Sequence, residues 1–297
     1  MINLELYRIF YFAAQAGSIS KAAQQLHITQ PSASLAIKQL EESMSTVLFK
    51  RTTRGVSLTN EGETLFAYVE QAYELLMSGE SKMSDVASLN GGEVRIASYT
   101  SVIRNVLLPY VKSFHQQYPT IKINILDHST APCLKLLKEG KIDFCVVRLP
   151  IHDETLQSTK LLSIQDRFVV GEKYKHLADG PGVSLRELAH YPHILFPPHM
   201  PSRKALDHFL ASHGLVIQPA FEIGTLQLLT GFAEAGLGVA YVIREFVQRE
   251  ISEGALFEVK VKEEIPPIDL GIVQVKQLPL SVAAEQFIEL MLKVGEK

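Results

Sequence analysis

The sequence predicts an α/β protein in three parts: a helical N-terminal domain with a small hairpin, one long helix, and a two-lobed α/β region. Three observations predict this. Apolar residues recur at three- and four-residue spacing through the first ninety positions. Beyond Glu93, β-prone runs alternate with helical ones. Gly91-Gly92 separates the two regimes. At 297 residues the chain exceeds one compact core, and 46% apolar with 21% charged residues is the composition of a folded protein.

Leu4, Tyr7, Phe10, Tyr11 and Ala14 form one apolar stripe, and Gly17-Ser18 stops that first helix. Ser20 is the expected N-cap of a short helix reaching Leu26. After a turn at His27-Ile28, Thr29 caps a third helix, with Pro31 tolerated in its first turn and an end near Ser43. Ala33, Ile37 and Leu40 share its inner face. Its outer face carries Gln30, Pro31, Ser32, Ser34, Leu35 and Lys38. Two β-prone runs, Val47–Arg51 and Val56–Leu58, surround a Thr-Thr-Arg-Gly turn and predict a hairpin.

Thr59 caps a long helix from near Asn60. In it Leu65, Val69, Ala72, Leu76, Gly79, Met83 and Val86 keep a 3.5-residue period, which predicts a helix–helix seam between two copies of the chain. The seam residues are Leu65, Val69, Ala72, Leu76 and Met83.

Strand-like Val94–Ala97, Ile121–Leu126 and Ile142–Val147 alternate with helical Val102–Gln117 and Ala131–Glu139, implying βαβ units and a parallel sheet. The pattern resumes after residue 162, and Pro266-Pro267 breaks it again before a strand at Asp269–Val275 and a final amphipathic helix. The expected division is 1–59, a helix over 60–90, one lobe from 91–162 with 268–297, and a second from 163–267.

The net charge of −3 hides an uneven distribution. In residues 1–60, Arg8, Lys21, Lys38, Lys50, Arg51 and Arg54 outnumber Glu5, Glu41 and Glu42, a local excess of +3. Nucleic-acid affinity depends on such local charge. Helix, turn, helix and a basic hairpin make the plan of a winged helix-turn-helix, whose second helix enters the major groove. Gln30 can pair with adenine, Ser32 and Ser34 can donate or accept, Leu35 can touch a thymine methyl, and Lys38 can hold phosphate. Arg51 and Arg54 flank the hairpin turn, where cations can reach the DNA backbone or the minor groove. The competing reading is an ordinary αα-hairpin in a bundle.

A cleft between two α/β lobes is where a small ligand binds, at strand ends and helix N-termini. Ser98, Thr100 and Ser101 follow the first strand, Ser129 and Thr130 the second, and Arg148 the third. Hydroxyls, free N–H groups and a guanidinium together suit a small organic anion. The competing reading is that these Ser and Thr only cap helices.

No nucleophile–base motif, metal-ligand spacing or cofactor fingerprint is recognisable, so neither enzyme chemistry, a metal nor a cofactor is expected. Cys133 and Cys145 read as buried packing rather than a redox pair. Two cysteines, no long uncharged apolar run, and Glu5 and Arg8 within the amphipathic N-terminus fit a cytoplasmic protein with no membrane partner.

Ala22-Ala23, Leu26, Thr29-Gln30-Pro31-Ser32, Ser34, Ile37, Leu40-Glu41, Leu48-Phe49, Arg51, Arg54, Leu58-Thr59 and Gly62 form a series of spaced motif positions in the N-terminal part. Leu107-Leu108-Pro109, Gly140-Lys141-Ile142-Asp143 and Ala235-Gly236-Leu237-Gly238-Val239 continue it. In these residues the chain resembles the LysR-type transcriptional regulators. The resemblance implies a winged helix-turn-helix, a linker helix pairing two subunits, and a two-lobed effector domain like that of periplasmic binding proteins. By the same resemblance, Phe196 and Thr225 face the cleft from the second lobe. The implied partners are promoter DNA, a second copy in a dimer or tetramer, a small-molecule effector and RNA polymerase. Three positions depart from the family pattern: Leu35 replaces a frequent basic residue, Ser45 a helix-ending Gly, and Glu61 an Ala. The alternative of a different class is a bilobal ligand-binding protein or enzyme with an N-terminal dimerisation bundle.

Overall fold

A computed structural model of the chain describes residues 3–53, 55–86 and 92–295, with the backbone alone at Ser78, 81–86 and 294–295. It divides into two units, residues 1–84 with 139–141 and residues 85–138 with 142–297.

The first unit holds α1 (Leu4–Ala16), α2 (Ile19–Gln25), α3 (Gln30–Met44), the hairpin β1 (Phe49–Thr52) and β2 (Gly55–Leu58), and α4 (Asn60–Val86). Ser18 rather than Ser20 caps α2, its side chain accepting from the Lys21 N–H. Ser20 lies inside the first turn and is exposed. Ser45 ends α3 in the left-handed region at φ 52, a conformation ordinarily left to Gly. Gly55 meets a real requirement of space: a Cβ there would lie 2.2 Å from the Gly17 carbonyl oxygen, where the hairpin docks on the α1–α2 turn. The Val56 N–H donates to that same oxygen at 3.0 Å.

Small side chains let α1, α2 and α3 close on one another: Ala13, Ala22, Ala23, Ala33 and Ala36 are buried with Ile9 and Ile37. A second cluster joins Phe10, Tyr11, Leu40, Leu48 and Val69, with Leu65, Phe66 and Tyr73 packed against it. This corrects the seam predicted along α4. Val69 is 7% exposed within its own chain, and Leu65 is half-buried beside it. The first turns of α4 are a wall of the N-terminal core, because aromatic residues of α1 face them: Tyr11 stacks on Phe66 at 5.8 Å and lies 4.6 Å from Tyr73. Ala72 and Leu76 are exposed, as are Tyr68 and Met77. Met83's side chain lies outside the described residues, as does Gly91 of the predicted helix stop.

The second unit holds two five-stranded sheets. The first, in order β4-β3-β5-β12-β6, combines β3 (Glu93–Ser98), β4 (Lys122–Asp127), β5 (Phe144–Arg148), β6 (Leu156–Ile164) and β12 (Ile268–Val275). The helices over it are α5 (Thr100–Val102), continued through a π turn at Ile103–Leu107 into α6 (Leu108–Gln117), then α7 (Thr130–Lys138) and α12 (Val282–Gly295). The second sheet, in order β11-β7-β10-β8-β9, is built from β7 (Asp166–Val170), β8 (His193–Leu195), β9 (Phe221–Glu222), β10 (Val239–Ile243) and β11 (Phe257–Val259). It carries α8 (Leu185–Leu188), α9 (Pro201–Ser212), α10 (Leu226–Glu234) and α11 (Gln248–Ser252).

Each sheet is mixed rather than parallel throughout. Strands β3, β4 and β5 run parallel, as βαβ units require, whereas β12 runs antiparallel to β5 and β6. In the second sheet β7 is antiparallel to β10 and β11. The antiparallel strands adjoin the segments where the chain crosses between lobes, so they enter each sheet from the opposite end. Gln165 ties the two crossings together, its Nε2 donating to the Ile265 carbonyl at 2.7 Å. Its N–H donates to Glu245 Oε2 at 3.1 Å.

Candidate functional site

Two regions present side chains for recognition, one in each unit. In the first, His27 at φ 54 turns the chain sharply between α2 and α3. Thr29 then starts α3, accepting from the Ser32 N–H at 3.3 Å. With Ala33, Ala36, Ile37 and Leu40 facing the core, Gln30, Pro31, Ser32, Leu35 and Lys38 stand exposed, and Ser34 is half-buried. Gln30 Nε2 donates to Ser34 Oγ at 2.9 Å, which orients the amide along the helix face. Leu35 is 57% exposed, an apolar side chain in an otherwise polar row. Lys38 lies 3.6 Å from Glu42, and both side chains are well exposed, so the cation is loosely held. Arg51 and Lys50 are exposed on β1. Arg54 falls outside the described residues.

In the second unit a cavity of about 650 Å³ opens between the two sheets and is lined from both. Thr100, Ser101, Ser129, Arg148, Phe196 and Thr225 line it. Two other expected residues do not. Ser98 is fully buried, and its hydroxyl donates to the Val146 carbonyl at 2.6 Å, joining β3 to β5 inside the sheet. Thr130 opens α7 and is not among the lining residues, whereas its neighbour Ser129 is.

Arg148 is no open anion receptor either. Its guanidinium donates to Asp166 at 3.0, 3.1 and 3.2 Å and to Ser202 Oγ at 3.0 Å, in a site where Arg148 is 8% exposed and Asp166 is fully buried. Burial works against the Arg148 charge, and the facing carboxylate more than offsets this, so its pKa is raised. Tyr99 also interacts with the Arg148 guanidinium. Burial raises the Tyr99 pKa, with the Arg148 charge opposing that rise.

The helix N-terminus is satisfied too. Asp127, at the end of β4, accepts from the Thr100 N–H at 2.9 Å and from its hydroxyl at 2.6 Å. Sequence reasoning missed Asp127, Tyr99, Arg104 and Asn105, all of which line the cavity. The helix begins at Thr100, and the π turn carries Arg104 and Asn105 to the cleft side, a placement common near functional sites. The available signal was the adjacent polar pair Arg104-Asn105 inside an apolar run.

The remaining candidates carry no such chemistry. Cys133 and Cys145 are buried, and burial raises both thiol pKa values, that of Cys133 to about 11. Among the described residues no cluster of three or more His, Cys, Asp or Glu side chains is suited to hold a metal ion. Among the described residues no helix is long and apolar enough to cross a membrane.

Comparison with known proteins matches both regions. Residues 4–63 fit the family model described as bacterial regulatory helix-turn-helix protein, lysR family, and residues 87–296 fit LysR substrate binding domain. The uncharacterized HTH-type transcriptional regulator YbhD of Escherichia coli (strain K12) is 27% identical over 296 residues, covering 98% of this chain and 92% of that protein. The structure of CrgA, a LysR-type transcriptional regulator from Neisseria meningitidis, superposes with a TM-score of 0.59 at 22% identity, covering 100% of both chains. Full-length CbnR complexed with its target DNA gives 0.56 at 18% identity, again over 100% of both chains. At these identities the two structures show the fold.

Proposed function

The chain belongs to the LysR family of transcriptional regulators, DNA-binding proteins with a helix-turn-helix and an effector domain, and from that premise we propose how it works. The exposed face of α3 reads promoter DNA through Gln30, Ser32, Ser34 and Leu35, while Lys38, Arg51 and Arg54 hold phosphates. Two or four copies act together, meeting along the exposed part of α4. A small organic anion in the interlobe cleft sets the promoter response, without catalysis or a cofactor, and RNA polymerase is the downstream partner. The working compartment is the cytoplasm.

The observation that carries the effector reading is the cavity of about 650 Å³ lined by both lobes, a volume in the range of sites for small organic molecules. With Arg148 engaged by Asp166, Arg104 is a cation open to the ligand: it is exposed, lines the cavity, and its side chain has no hydrogen bond or ion pair among the described residues. A ligand that touches both lobes favours one angle between them, and in an oligomer that angle sets half-site spacing.

The test is footprinting of the purified protein on DNA upstream of its own gene, with and without a panel of organic acids. The expected result is a protected inverted repeat whose boundaries shift with one compound. Protection that no compound alters removes the effector part of the proposal, and absence of protection at moderate salt removes the promoter reading.

A further inference from the structure

Besides the cations that an anionic group can answer, the cleft lining holds an open carboxylate. Arg148 is neutralised by Asp166, and Arg249 lies 3.9 Å from Glu250 and 3.7 Å from Glu253. Two lining ions are left without a counter-ion among the described residues. One is Arg104. The other is Asp127, which is exposed and takes its hydrogen bonds from an amide and a hydroxyl of Thr100, both uncharged donors.

Both are placed by the start of the same helix. Asp127 accepts from Thr100, its first residue, and Arg104 follows Thr100 by four residues, in the π turn. No ion pair joins them, so the cleft presents a carboxylate and a guanidinium that are both open to a ligand. A carboxylate ligand alone would answer Arg104 and meet repulsion from Asp127. A ligand with both an ammonium and a carboxylate answers both, at hydrogen-bond distances of about 3 Å.

Although Ser202, Gln227 and Thr230 also line the cavity, most of its exposed surface is apolar, with Phe196, Leu226, Ile243 and Phe246 among the residues that supply it. Resting on the reading of the cleft as the effector site, we infer that the effector is an α-amino acid with a large apolar side chain. Its ammonium lies on Asp127, its carboxylate on Arg104, and its side chain lies against the apolar wall.

The experiment is calorimetric titration of the full-length protein with the large apolar L-amino acids. Each is paired with its deaminated acid and its decarboxylated amine, for example L-phenylalanine, 3-phenylpropanoate and 2-phenylethylamine. The expected result is that one amino acid binds about tenfold tighter than either analogue. Asp127→Asn, which keeps an oxygen acceptor for the Thr100 N–H, should erase the preference over the deaminated acid. Arg104→Gln should erase the preference over the amine. Equal binding of the deaminated acid to the parent protein overturns the ammonium assignment and leaves the organic-anion reading standing. Binding of none of these compounds overturns the inference, and the footprinting panel of simple acids then decides whether the broader reading falls with it.

Discussion

Arg148, the last residue of β5, and Asp166, the first of β7, form a buried bidentate ion pair that joins the two lobes beside the Gln165 crossing. The pair lies at the edge of the cleft, so a side chain that the sequence marks as a receptor for ligand is a strut between lobes. Asp166 gives no such signal in the sequence, because nothing in a linear reading places the start of a second-lobe strand against the end of a first-lobe strand.

Removing one member of this pair strands a buried charge. Arg148→Met is expected to destabilise the second unit by about 3–5 kcal/mol, read as a lower urea midpoint. The double variant Arg148→Met with Asp166→Leu is expected to recover much of that loss, since an apolar pair leaves no uncompensated charge. Equal loss in the single and double variants would show that packing rather than charge pairing sustains the contact.

Residues on α4 separate into two classes that periodicity alone merges. Val69→Asp places a charge among Phe10, Tyr11, Leu40 and Leu48, so it is expected to unfold the N-terminal domain. Leu76→Asp changes a side chain that is 54% exposed and is expected to leave stability unchanged while shifting sedimentation toward the monomer. Sedimentation of Leu76→Asp as the parent would remove the exposed face of α4 from the oligomer interface.

Legibility follows the range of the interactions. The α3 face, the hairpin and the alternation of strands and helices were readable because caps, turns and apolar periods are local. Thr29, Pro31 and Thr59 sit where short-range rules put them. The cap of α2 was misplaced by two residues because Ser18 and Ser20 are equally good acceptors in the linear text. The cleft was half legible. Residues following strand ends were found, whereas Ser98 turned inward to bond Val146, and Asp127 and Arg104 owe their placement to a helix start and a π turn. The seam failed at Val69 because a 3.5-residue period says which side chains share a face, not which neighbour that face meets.

Thiol chemistry gives a direct check on the packing reading. With its pKa raised to about 11 by burial and by the nearby Asp127 charge, Cys133 is expected to stay unalkylated by iodoacetamide at pH 7.5 in the native protein. Cys145, more deeply buried and also raised, is expected to behave likewise. Both should react fully in urea. Rapid native alkylation of either would reopen a redox role.

His193 sets an acid limit. It is fully buried, donates Nε2–H to the Leu188 carbonyl at 3.0 Å, and leaves Nδ1 without a partner. Burial lowers its pKa from the ordinary 6.5. Above that pH both folded and unfolded chains carry it neutral. As the pH falls below about 6.5 the unfolded chain binds a proton that the folded chain refuses, so stability declines until the folded pKa is passed. His193→Leu is expected to flatten this part of the stability–pH curve, and an unchanged slope would assign acid sensitivity to other groups.

The exposed Leu35 makes a test that no phosphate contact can imitate. On α3 it has open solvent where a polar neighbour would be expected, and its natural partner in a major groove is the thymine methyl. Replacing thymine by uracil at each position of the protected half-site removes only that methyl. One position is expected to lose several-fold in affinity for the parent protein and nothing for Leu35→Ala. Lys38→Ala should instead weaken binding on every sequence and lower the magnitude of the salt slope by about 0.9 for each lost phosphate contact, twice that in a dimer. If uracil is tolerated at every position, Leu35 is not a base reader, and the polar residues Gln30, Ser32 and Ser34 carry the sequence preference alone.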